Sequence, residues 1–119
     1  MELLVFVLYD HEKLDEVLTS LEENGINGAT IIESTGMAKV LHHDEESSLL
    51  YGMIRNVLNN PSRSKSNTIL MVLEKKDRDN AIAAIENVVG DINRENVGII
   101  FSVPVDFVKG IKGKREEDE

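Results

Sequence analysis

Residues 3–25 read LLVFVLYDHEKLDEVLTSLEENG, and this stretch contains one strand followed by one helix. Residues 3–9 are a continuous apolar run of Leu, Val, Phe and Tyr, which predicts a buried central strand. Asp10 is a favourable N-cap residue, and Gly25 suits the left-handed conformation that ends many helices. Between them, apolar residues recur at helical spacing, at Leu14, Val17, Leu18 and Leu21.

The second half of the chain repeats this pattern. Residues 68–73 are apolar and β-branched, and residues 97–103 form a similar run before Pro104. Between them, Asp77 and Gly90 bracket a helix whose apolar face consists of Ala81, Ile82, Ile85, Val88 and Val89. A second strand is predicted from Ala29, with a break near Gly36 and a continuation through Val40 and Leu41. The order is then β-α-β twice. This order predicts an α+β, ferredoxin-like (βαββαβ) fold with an antiparallel sheet and two helices on one face.

The middle of the chain adds an insert at residues 42–67, between the second and third strands. Apolar residues in pairs every four positions predict an extra helix over residues 44–60, and Pro61 begins a polar linker within residues 59–67. Residues 1–110 are expected to form a single domain, with one short further strand at 105–108 and a charged C-terminal tail at 111–119. The strands are apolar on both sides, so a partner subunit or the inserted helix is expected to cover the face opposite the helices.

Composition excludes several classes of function. The 119 residues include no cysteine, which excludes disulfides, thiolate nucleophiles and cysteine-based zinc sites. The formal net charge of −9 argues against broad nucleic-acid binding, which needs a basic surface. The start of the chain has no basic segment before its apolar run, and no apolar stretch approaches about 18 residues. We therefore expect a cytoplasmic protein without membrane insertion.

Three segments in the expected order give the chain a resemblance to the P-II nitrogen-regulatory signalling family. The start resembles the strand, the "KLDEV" helix and the G-I-x-G-x-T segment of that family, here GINGAT at residues 25–30. ESTGMAK stands where the family begins its long T-loop, and VGIIFSVPVDFV resembles the family's fourth strand and the F-V-x-P-V segment after it. The resemblance implies a non-enzymatic regulatory homotrimer that senses a small effector, usually an adenine nucleotide, in clefts between subunits. The T-loop then acts on a partner protein such as a transporter, channel or enzyme.

The resemblance also implies which residues line the effector cleft. The candidates are Gly28, Thr30, Gly36, Lys39, Arg94 and Lys112. The chain departs from the family where a glycine- and lysine-rich phosphate loop, T-G-x-x-G-D-G-K, should precede the fourth strand, because that place reads INRENVGI. Only Gly98 matches there, and Arg94 supplies a cation where the family has lysine.

The adjacent histidines His42 and His43 raise an alternative function. Two neighbouring residues cannot both ligate one metal from a strand or helix, but Glu46 or histidines from other subunits could complete a site. Imidazole and carboxylate ligands suit divalent transition metals, so the alternative is a divalent-metal-binding trimer that uses His42, His43 and Glu46. A solvated strand end that leads into an acidic helix start explains the same residues without a metal. No Ser-His-Asp arrangement or paired catalytic carboxylates stand out, so we expect no enzyme activity.

Overall fold

The structure is a computed structural model, and it describes residues 1–37 and 65–111. The strands are β1 (Glu2–Leu8), β2 (Thr30–Thr35), β3 (Lys65–Leu73) and β4 (Gly98–Pro104), and the helices are α1 (Leu14–Glu23) and α2 (Arg78–Val89). Short 3-10 turns, His11–Lys13 and Lys75–Asp77, lead into the two helices. The described elements follow one another as βαββαβ, which confirms the predicted α+β class. The predicted helix over residues 44–60 lies outside the described residues.

The four strands form one sheet in the order β2-β3-β1-β4, and every neighbouring pair is antiparallel. Val5 in β1 pairs with Leu70 in β3 and with Phe101 in β4. β1 therefore lies inside the sheet, as its uninterrupted apolar run predicts, whereas β2 and β4 form opposite edges. Since adjacent strands are about 4.8 Å apart, these two edges are about 14 Å from each other.

The hydrophobic core lies between one face of this sheet and the two helices. Alternate residues of the inner strands supply the sheet side of the core, because successive side chains of a strand point to opposite faces. The sheet side contains Leu4, Phe6, Leu8, Ile69, Met71 and Leu73, and the helices contribute Val17, Leu21, Ala81, Ala84, Ile85 and Val89. Leu14, Leu18, Ile82 and Val88 are partly buried against this cluster, so the predicted helix faces are confirmed.

The helix boundaries differ slightly from those that the caps predict. Asp10 does cap a helical segment, because its Oδ1 accepts a hydrogen bond from the Glu12 amide at 3.1 Å, but that segment is a 3-10 turn and α1 begins only at Leu14. Asp77 precedes α2, yet its side chain makes no capping hydrogen bond. Gly25 and Gly90 follow α1 and α2 with positive φ angles of 88° and 81°, as expected for glycines at helix ends.

Two segments correct the predicted strand boundaries. The last three residues of the predicted linker, 65–67, belong to β3 instead, whereas β2 ends at Thr35, just before the predicted break near Gly36. Polar contacts extend the pairing of these strands: Lys65 forms an ion pair with Glu33 at 3.1 Å, and Ser34 contacts the hydroxyls of Ser66 and Thr68. Residues 105–108 form no strand, and only the Val105 amide continues the pattern by donating to the Met1 carbonyl at 3.1 Å.

Candidate functional site

A cleft of about 710 Å³ opens where the start of β1 and the end of β3 meet the connection between α1 and β2. Residues 25–30 supply one wall, and the chain returns to the cleft after β4 through Ile111. The described residues that line it are Met1, Leu3, Gly25, Ile26, Asn27, Gly28, Ala29, Thr30, Leu70, Val72, Leu73, Glu74, Asp77 and Ile111. A cleft of this volume has the size of a small-molecule binding site.

The lining of this cleft combines an apolar floor with acidic side chains at one end. Leu3, Ile26 and Val72 provide apolar surface, and the main chain of residues 25–30 provides polar groups. Among the described residues of the lining, Glu74 and Asp77 carry the only charged side chains. Carboxylates accept hydrogen bonds, so this end of the cleft favours ligand groups that donate hydrogen bonds or carry positive charge.

The cleft also continues onto the sheet face that the helices leave uncovered. Leu3 pairs with Val72, and Thr30 pairs with Leu70, and all four side chains lie on the face opposite the core. That face, which we call the open face, displays the exposed apolar side chains Ile32, Val72, Ile99, Phe101 and Val103. A protein surface that covered the open face would also form a wall of the cleft.

The structure brings together two of the predicted effector-binding residues, Gly28 and Thr30, which both line the cleft. A β-carbon built on Gly28 would meet no atom within 4 Å, so the described part of the chain does not itself require glycine there. Gly36 follows the far end of β2 and is not part of the cleft lining.

Arg94 lies away from the cleft, in the loop that leads to the opposite edge strand. Its Nη2 donates a hydrogen bond to the Val89 carbonyl at 3.0 Å, which satisfies a main-chain acceptor at the end of α2. Because β2 and β4 are opposite edges of the sheet, Thr30 and Arg94 do not meet within one chain. Lys39 and Lys112, the other predicted cations of the site, lie outside the described residues.

The predicted metal ligands His42, His43 and Glu46 also lie outside the described residues. Within residues 1–37 and 65–111, no group of three or more His, Asp or Glu residues is arranged to hold a metal ion. His11, the histidine that the structure does describe, lies in the 3-10 turn before α1. The metal-binding alternative therefore stays a prediction.

Sequence reasoning missed several residues of the cleft, including Leu3, Glu74, Asp77 and Ile111. The predicted β-α-β order indicates that some of these residues lie close together. Antiparallel pairing of the first and third strands places the end of β3 beside the start of β1, and Glu2 indeed pairs with Leu73. Asp77 comes soon after β3, where the sequence pattern predicts only a helix cap. Nothing in the sequence pattern indicates that Ile111 returns to this place.

The similarity of the chain to known proteins agrees with its fold. A family model described as Nitrogen regulatory protein P-II matches residues 1–115. No curated protein matches the chain significantly. In the two described ranges, no helix has the length and apolar character needed to cross a membrane.

Proposed function

Because the chain belongs to the nitrogen regulatory protein P-II family, we propose that it is a non-enzymatic regulatory protein that works as a homotrimer. It binds a small effector in clefts between subunits and acts on a partner protein such as a transporter or an enzyme. Proteins of this family are regulatory, and the fold observed here is consistent with theirs. The trimer, the effector and the partner are parts of the proposal.

The observation that carries the proposal is the continuity between the cleft and the open face. Ile99 and Phe101 are each nearly half exposed on a sheet whose other face carries the two helices. Exposed apolar surface of this extent on a small domain favours association, because burial contributes roughly 25 cal/mol per Å². A second copy on the open face would cover this surface and would also stand beside Leu3 and Thr30 at the edge of the cleft.

The distribution of the candidate residues also favours a site between subunits. Thr30 begins β2 at one edge of the sheet, and Arg94 is in the loop before β4, the edge strand about 14 Å from β2. A neighbouring subunit could supply its Arg94 to this cleft, which the Arg94 of the same chain cannot reach. Adenine nucleotides are the candidate effectors, because the adenine amino group can donate hydrogen bonds to the acidic end of the cleft. Lys39 and Lys112 are further candidate cations for the phosphates, and Gly36 is at the start of the segment that responds.

Effector binding regulates the protein if it favours one conformation of the chain over another. A ligand shifts a conformational equilibrium only through a difference in its affinity for the two states. We propose that the states differ in residues 38–64, which follow Gly36 and occupy the place of the T-loop of the family. The partner protein would recognise one of these states.

Native mass spectrometry and thermal shift measurements test the proposal together. We expect a trimer whose melting temperature rises with ATP, ADP, AMP or a cyclic nucleotide. Gly28→Val should keep the melting temperature of the free protein, since a β-carbon there meets no described atom within 4 Å, but should remove the rise by filling the cleft. A trimer that no nucleotide stabilises would exclude adenine nucleotides as effectors, and a monomer would exclude the inter-subunit site.

The divalent-metal trimer is the second candidate, and adjacent His42 and His43 with Glu46 nearby are the observation that favours it. Calorimetric titration with Zn²⁺ or Ni²⁺ should then show binding that the His42→Ala/His43→Ala double variant loses. A double variant that retains the affinity of the unmodified protein for both metals would exclude these ligands.

A further inference from the structure

The dipeptide Asn-Gly occurs twice within residues 24–28, as Asn24–Gly25 and as Asn27–Gly28. Asparagine in this dipeptide readily loses its side-chain amide, because glycine neither shields its own main-chain nitrogen nor restricts the conformation of the chain. The two copies have the same chemistry but different surroundings. Asn24 is at the end of α1, whereas Asn27 lies in the wall of the cleft between α1 and β2.

Loss of the amide needs water but no enzyme. The main-chain nitrogen of the glycine attacks Cγ of the asparagine, and the new C–N bond closes a succinimide ring. The bond between Cγ and Nδ2 breaks, and Nδ2 leaves as ammonia with the proton that the glycine nitrogen has lost. Water then opens the ring. Attack of water at Cγ gives aspartate, and attack at the main-chain carbonyl gives isoaspartate, in which the main chain runs through the side chain.

The end of α1 restrains Asn24 against this reaction. Asn24 Nδ2 donates a hydrogen bond to the Ser20 carbonyl at 2.8 Å, and the Asn24 carbonyl accepts one from Asn80 at 2.7 Å. The nitrogen that would attack, the Gly25 amide, donates to the Glu22 carbonyl at 3.1 Å. Both reacting groups therefore have to leave hydrogen bonds before the ring can close.

Asn27 and Gly28 lack these restraints. Both residues are exposed, and neither belongs to a helix or a strand. Within residues 1–37 and 65–111, the Asn27 side chain and the Gly28 amide make no hydrogen bond to another group of the protein. A β-carbon at position 28 meets no described atom within 4 Å, so the main chain has space to rearrange. The ring can therefore close at Asn27 while the protein stays folded.

The product changes both the charge and the shape of the cleft wall. Asn27 and Gly28 line the cleft, and the charged side chains of its described lining are acidic. A carboxylate at position 27 adds a further negative charge, which repels anionic groups such as phosphates. Isoaspartate also inserts one extra carbon into the main chain between Ile26, which is buried, and Thr30, which begins β2. Because both ends of this short segment are fixed, its middle has to move.

We propose that Asn27 is a site of spontaneous deamidation, and that its conversion to aspartate or isoaspartate weakens the binding of an anionic effector in the cleft. The modification itself is independent of any effector, but its effect on binding rests on the proposed function. Because the protein does not reverse the reaction, the modified fraction grows with the age of the molecule. A ligand that restrains the cleft wall slows the reaction, so an occupied cleft is modified more slowly than an empty one.

Peptide mapping by mass spectrometry tests the modification in the full chain without any ligand. Cleavage after Glu23 and Glu33 gives one peptide, residues 24–33, that contains both asparagines. Fragmentation of this peptide assigns the modified residue and distinguishes isoaspartate from aspartate. One sample is kept folded in mildly alkaline buffer, which favours loss of the glycine amide proton, and a second sample is unfolded in urea under otherwise equal conditions.

We expect deamidation in the folded chain to be at least about tenfold faster at Asn27 than at Asn24, because the hydrogen bonds around Asn24 have to open first. In urea the two rates should become similar, since each asparagine precedes a glycine and α1 is lost. Gly28→Ala should slow the reaction at Asn27 and leave the rate at Asn24 unchanged. Incubation continues until both asparagines have reacted in urea. Reaction at Asn27 in the folded chain that is absent by then, or no faster than at Asn24, would overturn the proposal.

The effect on binding is tested by the rise in melting temperature with ATP before and after ageing. Ageing should reduce this rise in the unsubstituted chain but not in Asn27→Gln, because the longer glutamine side chain closes a ring far less readily. An equal reduction in both chains would contradict the effect on binding. Fresh protein that no adenine nucleotide stabilises would exclude these effectors and with them the effect on binding. The deamidation rates are measured without ligand, so the two failures are distinguishable.

Discussion

Gly98 lies so close to Val7 that a β-carbon at position 98 would overlap the carbonyl oxygen of Val7. The Phe6 ring is also within 2.9 Å of that position, and the φ angle of Gly98 is +154°. Gly98 is the first residue of β4 and pairs with Leu8, at the end of β1. Glycine therefore allows the edge strand to begin in close contact with the central strand.

We expect Gly98→Ala to lower the free energy of unfolding by at least about 2 kcal/mol. A rigid main-chain oxygen cannot move aside as a flexible side chain can, and the positive φ angle adds strain for any residue with a β-carbon. Gly36→Ala is the matched control, because a β-carbon there meets no atom of the described residues within 4 Å. Urea unfolding of both variants provides the measurement, and equal stabilities would contradict the proposed overlap.

Arg94 illustrates how a residue predicted from a family motif can have a local structural role. Its guanidinium donates to the Val89 carbonyl and lies beside Gly90, at the end of α2. We expect Arg94→Ala to lower the free energy of unfolding by about 1 kcal/mol, the typical net value of one hydrogen bond. Arg94→Lys should recover only part of this loss, since lysine cannot reproduce the planar guanidinium.

Nucleotide titration of the same two variants separates the structural role of Arg94 from a role in effector binding. If a neighbouring subunit uses Arg94 as the proposal suggests, Arg94→Ala should also weaken nucleotide binding at temperatures where it is fully folded. An Arg94→Ala protein that melts earlier but binds nucleotide with unchanged affinity would leave Arg94 with the helix-end role alone.

An ion pair between Arg78 and Glu2 joins the start of α2 to the start of β1. Arg78 Nη1 contacts both carboxylate oxygens of Glu2, at 3.1 and 3.2 Å, and the Glu2 side chain is only 12% exposed. We expect Arg78→Met to destabilise the protein by about 1–3 kcal/mol, because it leaves a largely buried carboxylate without its cation. Arg78 is also 3.9 Å from Asp79, whose side chain is 96% exposed.

A double-mutant cycle between Arg78→Met and Glu2→Gln should give a clear coupling energy, measured by urea unfolding. The parallel cycle between Arg78→Met and Asp79→Asn should give less than about 0.5 kcal/mol, because exposed pairs are screened. Similar coupling energies in the two cycles would show that burial of Glu2 does not strengthen its ion pair.

The fold was largely predictable because its signals are local. The apolar run at residues 3–9, the helical spacing that begins at Leu14 and the glycines at helix ends each specify an element without reference to distant residues. Strand ends were less predictable. Residues 65–67 are polar, and only their pairing with β2, including the contacts of Ser66 with Ser34, shows that they continue a strand.

The candidate site was predictable only in part, because a cleft depends on which distant segments meet. Gly28 and Thr30 were found through a short motif, and both line the cleft. Glu74, Asp77 and Ile111 come from two other parts of the chain, and no periodicity predicts that they converge there. Arg94 was predicted to line a cleft between subunits together with Gly28 and Thr30. Within one chain it lies in the loop before the opposite edge strand, so this prediction still depends on a neighbouring subunit.

The open face provides the sharpest test of the subunit arrangement. Phe101 and Ser102 are neighbours on β4, both are exposed, and their side chains point to opposite faces of the sheet. If the proposed trimer forms through the open face, Phe101→Asp should dissociate it, because a carboxylate buried without a partner in an apolar interface is strongly unfavourable. Ser102→Asp adds the same charge on the same strand but on the face that carries the helices, so it should leave the trimer intact.

Light scattering coupled to size-exclusion chromatography gives the mass of each variant directly. A Phe101→Asp protein that is monomeric or aggregated, beside a trimeric Ser102→Asp protein, would locate the subunit interface on the open face. If both variants remain trimeric, the subunits must associate through another surface, and Leu3 and Thr30 would no longer be expected to face a neighbouring subunit. The same result would leave the cleft as a site within one chain, because its other lining residues do not depend on the interface.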